Sequence, residues 1–103
     1  MGPLKTKTVK VNSDVAGALG AARQAIGQCG WKIASFSASS IKAVTGISMS
    51  SWGETVIIQV QSSGGTTYLN IQSKSGFALI DWGKNQNNIN KFLTNLSRIV
   101  QIA

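Results

Sequence analysis

The chain has 103 residues, 43% of them hydrophobic and 13% charged, which suits one domain with its own core better than a disordered segment. It contains no histidine, one cysteine and three acids (Asp14, Glu54 and Asp81) against ten lysines and arginines, for a net charge of +7. An internal disulfide and a Ser-His-Asp triad are therefore excluded, and ligands are too few for zinc, iron–sulfur or multi-acid cation sites; no cofactor and no enzymatic activity are expected.

Residues 5–12 alternate, with Thr6, Thr8 and Lys10 opposite Lys7, Val9 and Val11, and predict a first strand. Asn12-Ser13-Asp14 supplies helix-capping oxygens, and Asp14 also complements the dipole of the first turn. From there Val15, Ala18, Leu19, Ala22, Ile26 and Cys29 recur at three- and four-residue steps, the apolar face of an amphipathic helix. Cys29 on that stripe reads as a buried structural thiol. Gly17, Gly20 and Gly27 each weaken the helix by up to about 1 kcal/mol relative to alanine, and such small residues suggest close packing against a sheet. Gly30 is a natural stop.

A β-rich stretch follows. Trp31 to Phe36 predicts a strand, Ser37 to Ser40 a turn, and Ile41, Ala43, Thr45 and Ile47 alternate with Lys42, Val44 and Gly46 as the next strand. Ser50 to Gly53 reads as a turn around Trp52. Thr55 to Gln61 is the clearest strand, with Val56, Ile58 and Val60 on one face and Ile57 and Gln59 on the other. Gly64-Gly65 is a hairpin signal, after which Thr67 to Lys74 returns with Leu69 and Ile71 inward and Tyr68, Asn70, Gln72 and Lys74 outward. Ser75 to Lys84 connects to a last helix, capped by Asn85 or Asn87, with the stripe Ile89, Phe92, Leu93, Leu96, Ile99 and Val100. Lys84, Lys91 and Arg98, seven residues apart, share its solvent side.

The expected fold is a single α+β domain over residues 1–103, with residues 1–5 flexible. An antiparallel sheet of about five strands in β-α-β-β-β-β-α order carries two helices packed on one face. The opposite face is left open and shows Lys42, Gln59, Tyr68, Asn70, Gln72 and Lys74, with Phe36, Val44 and Ile57 among them. That face is either a contact surface or an ordinary wet one. No run reaches the ~18–20 apolar residues of a membrane span, and the N-terminus lacks the apolar core of a secretory signal. The expected compartment is the cytoplasm, or the membrane surface if the chain belongs to a longer protein.

The densest motif runs from Ser73-Lys74-Ser75 through Asp81-Trp82-Gly83-Lys84-Asn85 to Asn88-Ile89. As a structural corner, Asp81 accepts backbone N–H bonds, Trp82 wedges into the core, Gly83 permits a positive φ and Asn85 caps the helix. As a functional element, Lys84 and the asparagines form a binding edge at a helix N-terminus. Together with Ser51-Trp52-Gly53-Glu54, these residues resemble an uncharacterised group of small bacterial domains that pair a SWGE turn with an S-x-S…DWGKN…NI corner. The resemblance covers residues 31–101 and implies an accessory domain of unknown function; some members are fused to membrane-spanning segments. The element order is also similar to one repeat of the TATA-box-binding-protein fold and to a shortened helix-grip domain, a likeness of topology alone.

Two functions follow as expectations. In the first, the domain is a non-catalytic module that binds an unknown protein or small ligand, through Lys42, Tyr68, Gln72 and Lys74 of the open face or through Asp81, Trp82, Lys84 and Asn85 of the corner. In the second, a basic face holds a polyanion, either nucleic acid or an anionic membrane surface.

Overall fold

The structure, a computed structural model, describes residues 4–46, 53–75 and 84–103, without the side chains of Ser75 and Lys84. The elements run β1 (Leu4–Val11), α1 (Val15–Gln28), β2 (Lys32–Phe36), β3 (Ser40–Val44), β4 (Glu54–Ser63), β5 (Thr66–Ser75) and α2 (Lys84–Leu96), the β-α-β-β-β-β-α order expected from the sequence. The strands form one five-stranded sheet in the order β1-β5-β4-β3-β2, antiparallel throughout.

Local chemistry fixes the joints. Asp14 caps α1, its Oδ1 accepting the Gly17 N–H at 2.7 Å, and Gly30 leaves the helix at φ 79°, where an L side chain would be strained. Gly64 and Gly65, at φ 58° and 80°, form a two-residue turn whose double positive φ matches the twist of a hairpin. That turn locks the β4–β5 register, Ser63 opposite Thr66 through Glu54 opposite Ser75.

With the register set, every second residue faces the helices. Ile41, Ala43, Val56, Ile58, Val60, Leu69 and Ile71 are buried with Ala18, Ala21, Ala22, Ala25 and Ile26 of α1 and with Ile89, Phe92 and Leu96 of α2. These four buried alanines of α1 let the helix lie close on the sheet. The glycines do not serve that purpose: Gly17, Gly20 and Gly27 are exposed, and a Cβ at Gly20 or Gly27 would meet nothing within 4 Å.

Three other details depart from the sequence reading. Phe36 is not on the open face. A bulge between Ile33 and Ser35 reverses the alternation of β2, so Phe36 pairs with buried Ile41 on the helix side, its ring 4.3 Å from the Arg23 guanidinium. Neither Asn85 nor Asn87 caps α2, because the helix already includes Lys84. Arg98 lies past the end of α2 at Leu96 and so shares no helical stripe with Lys84 and Lys91. Nothing in the sequence signals that the last residues pair with the end of β1 along its free edge. Val11 bridges Ile102, the Asn12 N–H donates to the Gln101 carbonyl at 2.9 Å, and the Ala103 N–H donates to that of Lys10 at 2.9 Å.

Candidate functional site

The sheet face turned away from the helices is composed of rows, each running across neighbouring strands. Lys10, Tyr68 and Gln61 form the first, and Thr8, Asn70, Gln59 and Ser40 the second. Thr6, Gln72, Ile57, Lys42 and Ser35 follow, then Leu4, Lys74, Thr55, Val44 and Lys32. Lys42 and Lys74 are exposed and Tyr68 and Gln72 half-buried, so these four residues are brought onto one surface, as expected. The charge partition is one-sided. Lys10, Lys32, Lys42 and Lys74 belong to this face and, among the described residues, no acid does: Asp14 caps α1 and Glu54 is buried on the helix side. From strand spacing, the Cα atoms of Lys32, Lys42 and Lys74 are about 8–15 Å apart.

A cup of about 310 Å³ opens in the first two rows, lined by Thr8, Gln59, Gln61, Tyr68 and Asn70. Asn70 Nδ2 donates to Thr6 Oγ1 at 3.2 Å and to Thr8 Oγ1 at 2.9 Å, which holds the amide across β1 and leaves its Oδ1 without a donor among the described residues. The Gln59 and Gln61 side chains are exposed and likewise make no hydrogen bond among the described residues. Thr8 and Gln61 belong to the cup but not to the open face expected from the sequence. The signal for Gln61 is present nonetheless: counting back from the Gly64-Gly65 turn places it opposite Tyr68.

A wider and shallower cleft of about 840 Å³ lies between the start of α1, the β4–β5 hairpin and the C-terminal residues. Its best polar groups are already engaged, Asn12 Nδ2 with Gln101 Oε1 at 3.3 Å and Asp14 with the N–H of Gly17. It also has no aromatic lining, and the smaller cup is the better candidate.

The corner residues form a separate structure on the helix side. Asn85 is fully buried and its Oδ1 accepts from Ser73 Oγ at 2.7 Å, while Asn88 Nδ2 donates to Ser73 Oγ at 3.1 Å and to Glu54 Oε1 at 3.0 Å. Thr45 Oγ1 closes the network, accepting from the Glu54 N–H at 2.8 Å and donating to its Oε1 at 3.4 Å. Residues that are far apart in the SWGE, S-x-S, DWGKN and NI stretches thus meet in one polar joint. Asn85 is separated by the sheet from Lys42, Tyr68, Gln72 and Lys74. Asp81 and Trp82 lie outside the described residues, as does the Lys84 side chain.

Among the described residues, no helix is long and apolar enough to cross a membrane. Comparison with protein-family models and with curated proteins finds no match for this chain.

Proposed function

We propose that this domain is a non-catalytic binding module and that the open sheet face, centred on the Tyr68 cup, is its contact surface. The observation that carries this reading is the state of the polar groups there. Half-buried Tyr68 is surrounded by polar groups that the fold uses only in part: the Gln59 and Gln61 amides and the Asn70 Oδ1 have no hydrogen-bond partner among the described residues, on a face that neither helix covers. Recognition sites need polar groups of this kind, positioned by a rigid scaffold yet free to bond a partner. A chain without histidine and with only three acids is also poorly equipped for acid–base chemistry, which supports binding over turnover.

A second reading, binding of a polyanion, is favoured by one specific observation: among the described residues, the four lysines of the face have no acid beside them. The two readings share a surface and differ in the occupant.

The side-chain amide NMR signals of Gln59, Gln61, Asn70 and Gln72 are direct reporters. Titration of the ¹⁵N-labelled domain with fractionated native extract is expected to move these four together, with Tyr68 and the outward residues of β3–β5. Shifts confined to α1 and α2, or none on the face in any fraction, would refute the assignment.

A further inference from the structure

We infer that the occupant of the open face is a single-stranded nucleic acid, with one unpaired base stacked on Tyr68 inside the cup; this rests on the face being the contact surface. Three features converge on that chemistry. Tyr68 is the one aromatic residue of the rows and it forms part of the cup, so a flat ring entering there meets a flat ring. Around it, Asn70 presents a fixed acceptor, because its Nδ2 is held by Thr6 and Thr8, while Gln59 and Gln61 offer adjustable donors and acceptors. A base edge carries this mixture of groups. Lys10 is the cross-strand neighbour of Tyr68, and Lys42 lies two rows further, about 14 Å along the strands, where a phosphate backbone leaving the cup would pass.

Other anionic occupants fit less well. A bilayer surface would be met by an apolar or aromatic rim, yet the apolar members, Leu4, Val44 and Ile57, are in the two rows furthest from Tyr68 and include no aromatic. An acidic peptide would use the lysines but has no need of a cup bounded by three amides. A duplex keeps its bases stacked and would leave Tyr68 idle.

The test uses the whole chain, a fluorescein-labelled oligouridine octamer read by anisotropy, and amide shift mapping with three further probes: a DNA duplex, phosphatidylserine vesicles and polyglutamate. The octamer is expected to shift the Gln59, Gln61 and Asn70 amides and to bind more tightly than the duplex. Tyr68→Ala should weaken binding roughly 5- to 150-fold, whereas Tyr68→Phe, which keeps the ring and guards against misfolding, should stay within about twofold. Replacing Lys10 and Lys42 by glutamine should lower the slope of log affinity against log salt by about 0.7 per residue. Unchanged octamer affinity in Tyr68→Ala, duplex binding as tight as the octamer's, or shifts only around Lys5, Lys7 and Lys91 would overturn the inference. If vesicles or polyglutamate moved the open-face amides and the octamer did not, the nucleic acid would be ruled out while the contact surface stood. If no probe moved them, both would fall.

Discussion

Two parts of this molecule are built from similar uncharged polar side chains and use them in opposite ways. In the joint between α2 and the sheet, Thr45, Ser73, Asn85 and Asn88 bond one another and Glu54, all buried or nearly so. On the far side of the same strands, the Gln59 and Gln61 amides and the Asn70 Oδ1 have no partner among the described residues. Strand alternation separates the two sets: Ser73 on β5 points inward, and its neighbours Gln72 and Lys74 point outward. The described residues of the conspicuous motif thus form a structural joint, and the proposed contact surface is the plainer polar one. A buried network fully engaged with itself fixes the position of a helix and has little left to offer a ligand.

Substitution should expose this contrast directly. Asn85→Ala removes the acceptor of a buried Ser73 hydroxyl and opens a cavity at a fully buried position, so urea unfolding should show a loss of about 2–3 kcal/mol. Gln59→Ala and Gln61→Ala, which break no bond among the described residues, should each stay within about 0.5 kcal/mol of the parent. Comparable losses on the two sides would abolish the distinction between joint and surface.

What the sequence disclosed follows the same division. The outward placement of Lys42, Tyr68, Gln72 and Lys74 could be counted from a period of two and a glycine hairpin, both local signals. Phe36 departs from that count because an extra residue in β2 leaves no local mark yet reverses every side chain after it. Asn85 looked like a cap because asparagine before an apolar stripe usually is one. Its partner, Ser73, is on another element twelve residues away, and only the folded chain reveals the pair.

In α1 the small residues divide in the same manner, with four of the five alanines toward the sheet and the glycines toward solvent, so the close packing expected of Gly17, Gly20 and Gly27 is supplied by alanines instead. Gly20→Ala and Gly27→Ala should therefore stabilise the domain by about 0.5–1 kcal/mol each in thermal or urea unfolding. Gly17→Ala should gain less or lose stability, since its methyl group would run into Ser13 Oγ and sit 3.0 Å from the capping Asp14 Oδ1. A loss at Gly20 or Gly27 would mean that the outer side of α1 is packed against something after all.

The smallest effect tests the closed side at its least polar member. Cys29 ends α1, is 5% exposed, and its Sγ accepts from Asn95 Nδ2 at 3.5 Å. Burial pushes the thiol above its ordinary value of 9.0, and the Asn95 hydrogen bond and the Lys91 charge pull it back only in part. A neutral thiol favoured by the fold stabilises it fully below the unfolded value, and that stability is lost as pH rises through the folded one, because the unfolded thiol ionises first. Unfolding free energy should accordingly be insensitive to this group up to about pH 9 and decline above it, while Cys29→Ala should lack that part of the decline. Iodoacetamide at pH 8 should label the native thiol far more slowly than the urea-unfolded one, since the reagent needs both access and thiolate. Equal labelling rates would show that the α1–α2 contact opens freely, and the closed side would then be no more sealed than the open one.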